Sequence, residues 1–452
     1  MANTLTNQTD SVVLNNISGS GLRTTPENYI SLATLIEPNK PDVRDLYVQT
    51  FGDQGITGFL DLTGAKKNAG AADKVTWYEE GRLHKTAPAA AWTASTGALA
   101  GTGIGDAVRV NDVLLMKDGQ RLVVKSRTNA NSVFALALNG STSTNIASGT
   151  SAIIGNVYAQ GTDQPTSFYQ TGLVKRENPY IITKEIYEVN GSQATNIGWL
   201  NVNGQYMWYL KNEMDSRKRF MNQREMMLLY SQLGDLTLDT ANNADNKIAG
   251  SEGYFAAVEA RGITAEVSGG AQGSFASMSD IDAIILELDK EGAPAEYAMY
   301  VNRKVSLDID DMLANGIATQ VTAGLAGQFG AFNNSADLAV KLGFKSFTRG
   351  GYTFHKHDWK LLNDPTLGAL NAYHKGAMVP MSQVADAQSG VKSPALEMNY
   401  KSAGNYSREM EHWVEGGGVL GHVTSGKDTV KFNYRSECNL VTRAANQHVV
   451  LK

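Results

Sequence analysis

Between residues 204 and 233 the chain runs for about thirty residues without an internal Gly or Pro, and the stretch is rich in Met, Leu, Glu, Lys and Arg. At 1.5 Å per residue this predicts a rod roughly 45 Å long, several turns beyond the ordinary globular helix. Such a helix must cross a large domain or lie along an extended one. Apolar side chains recur at Met207, Leu210, Met214, Met221 and Leu228, with Asn212, Asp215, Arg219 and Gln223 on the opposite side. Asp215 stands four residues before Arg219, a favourable intrahelical pairing, and Arg217, Lys218 and Arg224 fall near the edges of the apolar stripe. Those basic groups read either as a solvated face or as contacts for a partner's acids.

The remainder is strand and turn. Charged residues make up 19% of 452, below the usual quarter, and there are 45 glycines, which suits a β-rich chain whose surface is partly buried by association. A net charge of -5 argues against a groove that grips nucleic acid through its phosphates. The single cysteine, Cys438, excludes an intramolecular disulfide. The start of the chain lacks the basic and apolar runs of a signal peptide, and no eighteen-residue apolar window exists, so a soluble chain is expected.

In chain order, residues 1–55 have the polar, Pro-punctuated composition of an arm without a core of its own. Strand patterns at 56–62 and 74–85, with Val75 and Trp77 on one face, predict a long hairpin. Residues 90–166 are low in charge and dense in short strands, among them 108–116, 121–126 and 133–138, separated by Asp118-Gly119 and Asn139-Gly140. This predicts a small β-barrel or sandwich inserted into the hairpin, whose strand character resumes at 180–189. After the rod, 236–273 reads as a Gly-rich loop region with some strand. Ser279 is the expected cap of a helix carrying Ile281, Ile284, Ile285 and Leu288, ended by Gly292; a strand over 296–302 and a helix capped by Ser306 follow. A helix at 335–342, strands at 344–347 and 352–357 and a loop to about 391 complete an α+β unit. From Val430 to Leu440 the alternation is strict, with Lys431, Asn433, Arg435, Glu437 and Asn439 expected outward, giving a half-buried strand of about 35 Å.

Candidate chemistry is thin. Gly421 to Lys427 resembles a phosphate-cradling loop, but Asp428 stands where a Ser or Thr is needed and a strand follows instead of a helix, so a plain turn is the better reading. His355 and His357 share a strand face beside Asp358 and lack an evident third metal ligand. Asp308, Asp310 and Asp311 lack calcium-loop spacing and are read as first-turn helix acids. Glu79 and Glu80 point to opposite faces of a strand and cannot share a substrate. Cys438 lies on the inward series. The run from Gly101 to Gly105 is read as following no strand and opening no helix, hence not a dinucleotide fingerprint. No catalytic constellation, cofactor or metal site is expected.

The order of polar arm, long hairpin, rod-like helix, α+β unit and long returning strand resembles the major capsid proteins of tailed double-stranded DNA phages, the Hong Kong 97 type of fold. The stretches ITGFLDLTGAKKNAGAADKVTWYEEGRLHK, EIYEVNGSQATNIGWLNVNGQYMWYLKNEMDSRKRFMNQREMM, HWVEGGGVLGHV and KFNYRSECNL carry the resemblance. It implies an α+β capsid fold with an amino-terminal arm (1–55), an extended E-loop hairpin (56–89 and 167–195) and an inserted β subdomain (90–166). A spine helix and P-domain (196–279), an A-domain pointing to the capsomer centre (280–391) and returning P-domain strands (392–452) complete it. By the same resemblance, Trp77, Tyr78, Glu79, Glu80 and Arg82 would lie over a neighbour's spine helix, with Arg217, Lys218, Arg219 and Arg224 as partners. Implied partners are other copies of the chain, a portal, a separate scaffolding protein, decoration or cement proteins and packaged double-stranded DNA held without sequence recognition, with no membrane. An encapsulin-type compartment, a β-rich tail or adhesin protein and a hydrolase are the other readings.

Overall fold

The computed structural model describes residues 66–68, 72–140, 144–194, 208–234, 250–266, 275, 278–322, 346–364, 373–381, 383–385, 392–418 and 423–452. The arm at 1–55, the strand at 56–62 and the helix at 335–342 lie outside them. The chain is mixed α+β and divides into two compact units, one of residues 77–176 and one of the flanking residues 1–76 and 177–452.

The smaller unit is built on a closed barrel. Strands β3 (Thr86–Thr93), β4 (Ala98–Ala100), β5 (Asp112–Leu115), β6 (Arg121–Asn129), β7 (Ser132–Ala137) and β8 (Ile146–Asn156) close in the order β3-β4-β7-β6-β5-β8. Its core packs Trp92, Leu99, Ile104, Leu114, Leu122, Val124 and Val133, and the Trp92 indole donates to the Ala135 carbonyl at 2.9 Å. Asp118-Gly119 turns β5 into β6, and Asn139-Gly140 follows β7; both glycines have positive φ. The Gly101–Gly105 reading needs correction, because β4 precedes it and a single helical turn, α1 (Ile104–Ala107), begins within it. A Cβ on Gly101 would fall 2.2 Å from the Ala89 carbonyl oxygen, and one on Gly105 2.0 Å from that of Asn129. These glycines permit close packing against neighbouring backbone inside the barrel.

In the larger unit, β1 (Lys66–Asn68), β10 (Ile181–Asn190), β18 (Leu396–Tyr400), β21 (Glu411–Gly416) and β22 (Thr429–Thr442) form a five-stranded sheet. The long strand β22 is its axis, antiparallel to β10, β18 and β21. A six-stranded sheet has the order β11-β23-β15-β12-β14-β13, from β11 (Ile263–Ala265), β12 (Glu296–Val301), β13 (Ser346–Arg349), β14 (Tyr352–Asp358), β15 (Gly376–Pro380) and β23 (Val449–Leu451). Two short hairpins, β16 (Gln383–Ala385) with β17 (Lys392–Pro394) and β19 (Ser402–Ala403) with β20 (Tyr406–Ser407), lie outside these sheets.

Helices after the turn α2 (Gly191–Ala194) are α3 (Trp208–Tyr230), α4 (Tyr254–Arg261), α5 (Met278–Lys290) and α6 (Arg303–Thr322). One core joins Leu228 and Leu229 of α3, Phe255 and Val258 of α4, and Tyr300, Met398 and Leu440 of the sheets. The other packs Ile281, Ile284 and Leu288 of α5 and Val305, Ile309 and Met312 of α6 on Tyr297, Met299 and Val301. Strand β12 is therefore covered on both faces, which is why its apolar run is unbroken.

Several local expectations are revised. The rod ends at Tyr230, not Leu233, because the chain at 250–253 crosses its end: Gly253 N–H donates to the Ser231 carbonyl at 2.8 Å, and Gly250 packs against that of Gln232. At 23 residues it is about 35 Å long. Its buried line is Ser216, Phe220, Arg224 and Leu228, while Met214 and Met221 are exposed; Met207 and the Leu210 side chain lie outside the description. Ser279 stands inside α5, and α6 is capped by Asn302, whose Oδ1 accepts from Val305 N–H at 2.8 Å. Asp308, Asp310 and Asp311 lie beyond the first turn of α6, and Asp310 pairs with Lys356 at 2.6 Å. The region 236–273, read as loop with some strand, holds β11 but also the unexpected α4, and the loop before 391 contains β15 and β16. Glu437 and Asn439, expected outward on β22, are buried, and β23 returns to the six-stranded sheet after the strand read as the last element.

Candidate assembly interface

The barrel is entered and left through a two-stranded ribbon, β2 (Lys74–Glu80) paired with β9 (Leu173–Pro179). Gly81 N–H donates to the Gly172 carbonyl at 2.9 Å, which extends the pairing past the strand ends. Strand alternation divides the expected contact residues. Trp77 is buried, and its indole N–H donates to Glu79 Oε1 at 3.1 Å, while Glu79 Oε2 accepts from Arg176 Nε at 3.2 Å. Glu79 is thus held within its own ribbon. Tyr78, 66% exposed, Glu80 and Arg82 stand at the surface. Leu83, Phe168, Leu173 and Val174 are also exposed, Phe168 to 80%. Beside the barrel, Arg109 stacks over the Tyr169 ring at 4.1 Å and donates to the Ser167 carbonyl at 3.1 Å, and the Tyr169 hydroxyl bonds Asp112. Burial and the Asp112 carboxylate push the Tyr169 hydroxyl up to about 12.

On α3, Arg217, Lys218 and Arg219 are exposed and Arg224 is not. The Arg224 Nη1 donates to the Glu409 carbonyl at 3.2 Å, so its charge is turned into the protein. Phe220 stacks on Tyr434 at 5.8 Å, and the Tyr434 hydroxyl bonds Glu213; these contacts fix which side of the helix faces β22. The candidate contact residues at 77–82 belong to the smaller unit and those on the helix to the larger.

Sequence reading missed the polar junction around Asn178. Its Nδ2 donates to the Leu440 carbonyl at 2.7 Å and the Glu252 carbonyl at 2.9 Å, and its Oδ1 accepts from Glu252 N–H at 2.8 Å and Ser251 Oγ at 2.9 Å. Asn439 Nδ2 donates to the Asn178 carbonyl at 2.9 Å. A lone Asn in a strand carries no local signal for such a role.

The remaining chemical candidates come apart. His355 and His357 lie on one strand face; burial and then the neighbouring His355 lower the His357 pKa, and its ring stacks on Tyr300 at 5.0 Å. Asp358 pairs with Arg303 at 2.5 Å. Among the described residues no three His, Cys, Asp or Glu side chains group as metal ligands. The segment before β22 is a turn, Lys427 pairs with Glu188 at 2.8 Å, and Asp428 packs against Gly191; Gly421 and His422 lie outside the description. Cys438 is buried beside Ser436 Oγ at 3.0 Å. A cleft of about 390 Å³ on the five-stranded sheet is lined by Lys184, Ile186, Trp413, Asn433 and Arg435 among others, with Arg435 stacked over Trp413 at 5.0 Å and paired to Glu411. Among the described residues that line it there is no His, Cys or Ser.

No family model matches the chain, and no curated protein matches it. Solved structures do resemble it. A chain from Mycobacterium phage Ogopogo aligns over 94% of this chain and 99% of its own, with 8% identity and a TM-score of 0.44. The capsid structure of cyanophage P-SCSP1u aligns over 94% and 98%, with 10% identity and a TM-score of 0.40. The mature capsid of bacteriophage PhiM1 aligns over 95% and 98%, with 8% identity and a TM-score of 0.38. At such identity and overlap the likeness assigns no role to any residue.

Proposed function

We propose that this chain is the major capsid protein of a tailed double-stranded DNA phage, of the Hong Kong 97 type. It assembles into hexamers and pentamers of an icosahedral shell around the genome and catalyses no reaction. The observation that carries this reading is the β2–β9 ribbon, which exposes Tyr78, Leu173 and Val174, with Leu83 and Phe168 exposed in the segments that flank it. A two-stranded ribbon is marginal in water unless something covers its apolar side chains. A neighbouring subunit supplies that cover, with the ribbon as E-loop and α3 as the spine beneath it. Tyr78, Glu80 and Arg82 then face the neighbour, and the exposed Arg217, Lys218 and Arg219 lie across from them, whereas Glu79 and Arg224 are buried or half-buried within their own chain.

In this reading residues 280–391 form the A-domain at the capsomer centre, and the arm clasps another subunit. A net charge of -5 suits a lining that encloses DNA without gripping it. A portal, a separate scaffolding protein and decoration proteins complete the virion. No helix among the described residues is long and apolar enough to cross a membrane.

Electron microscopy of the purified protein, alone and with its scaffold, tests the reading. Closed particles of uniform diameter are expected, with DNA in the native ones. Protein cargo in place of DNA would make the shell an encapsulin-type compartment, and a solitary monomer at high concentration would end the capsid reading.

A further inference from the structure

Residues 133–138 read Val-Phe-Ala-Leu-Ala-Leu, six apolar residues in succession. A strand with one buried face alternates; an unbroken apolar run belongs to a strand covered on both faces, as in β12 of this same chain. The barrel covers only one face of β7. Val133, Ala135 and Ala137 fill its interior, while Phe134, Leu136 and Leu138 are 37%, 41% and 51% exposed on the outside. The ring of Phe134 is held over Gly97, where an added Cβ would come within 2.4 Å of it, so the stripe has a fixed aromatic anchor. On β6, Ser126 lies beside Phe134 and Val123 beside Leu136, Leu138 N–H bonds the Arg121 carbonyl, and Arg121 and Lys125 are exposed along this edge.

Charge points to the occupant. Of the chain's 40 basic and 45 acidic residues, nine and six fall within residues 77–176, leaving 31 and 39 in the rest. The barrel unit is net basic and the larger unit net acidic. We propose that the outer β7–β6 face docks on a second copy of this chain, against the acidic larger unit of that copy. The apolar stripe supplies affinity, and Arg121 and Lys125 select the acidic surface and set the register. This extends the assembly reading to a contact separate from the ribbon and rests on that reading.

The test compares wild type with Leu136→Glu/Leu138→Glu and with Arg121→Glu/Lys125→Glu, the second pair changing exposed side chains that the barrel core does not use. Fluorescence of buried Trp92 reports whether the barrel is folded. Both variants are expected to fold and to lose closed particles at least tenfold by sedimentation and microscopy. Carbodiimide treatment of particles grown from mixed ¹⁴N and ¹⁵N protein is expected to join Lys125 to carboxylates of residues 177–452 in mixed-isotope products. Normal particle yield from folded variants overturns the proposal, as do Lys125 links confined to one isotope. Normal shells that lose only a separate bound protein also overturn it and assign the stripe to that protein. Wild type that never assembles removes the capsid reading itself, and this inference with it.

Discussion

Arg224 Nη1 donates to the main-chain carbonyl of Glu409 at 3.2 Å, from a position in the middle of α3 where the side chain is buried. The same carbonyl accepts from Ser436 Oγ at 2.5 Å and, more weakly, from Cys438 Sγ at 3.7 Å. One backbone oxygen thus ties the long helix, the approach to β21 and the long strand β22 together, and an arginine becomes part of the core. Truncation as Arg224→Ala is expected to destabilise the isolated subunit by about 2 kcal/mol, the scale of a lost charged hydrogen bond. Charge reversal at Arg217 or Arg219 should change subunit stability by less than about 0.5 kcal/mol and act on assembly instead. Denaturant unfolding beside particle yield separates the two; equal stability loss at all three positions would contradict the assignment.

Asn178 satisfies four polar partners in a buried setting, so its replacement strands several of them at once. Asn178→Leu should cost on the order of 3 kcal/mol or more, although the new side chain is more apolar. Asn178→Asp should also destabilise, because a carboxylate cannot donate to the Leu440 and Glu252 carbonyls. A thermal midpoint unchanged in both variants would refute the role of this junction.

The two ribbon glutamates are expected to behave differently. Glu80→Lys, at an exposed position, should reduce shell yield and leave the monomer intact. Glu79→Gln should chiefly loosen the ribbon, seen as faster amide exchange around Trp77 and Arg176, with at most about 1 kcal/mol at stake in a partly exposed pair. Identical effects of the two substitutions on assembly would mean that the in-chain Glu79–Arg176 pair is not what separates them.

Two buried histidines make the subunit sensitive to mild acid. Burial lowers His448 from 6.5 to about 3, with Nδ1 3.3 Å from the Tyr254 hydroxyl, and lowers His374 despite Glu259 at 2.8 Å. Because the folded pKa lies below the unfolded one, the unfolded chain takes up the proton first. The stability that neutral His448 contributes is therefore full above about pH 6.5 and is lost as pH drops toward 3, by up to about 1.4 kcal/mol per unit, and His374 acts in the same direction. Unfolding free energies at pH 7, 6 and 5 should show this slope, and His448→Phe should flatten it. A slope unaltered by that substitution would place the proton uptake elsewhere.

The spacing of Ile281, Ile284 and Leu288 specifies the inward face of α5, because a 3.6-residue period is written locally. Gly119 and Gly140 mark barrel turns for a similarly local reason, the cost of positive φ for any other residue. The eight-residue α4 escaped notice since two turns between glycines give too short a period to detect. Strand alternation separates Glu79 from Glu80 without saying which face is covered, and nothing in the local pattern separates Arg224 from its neighbours on α3.

From its own order of residues the chain determined the inward face of α5 and the barrel turns at Gly119 and Gly140. Which side of the long helix is inside was decided in three dimensions, by Tyr434, Glu213 and the carbonyl of Glu409, residues distant in sequence from Phe220 and Arg224. The same holds for Asn439, whose outward-looking place in an alternating strand became a buried one once Asn178 arrived beside it. Periodicity states only that a helix or strand has two faces. Partners brought together by folding choose between them, because a buried polar group is tolerated only where a distant part of the chain completes its hydrogen bonds.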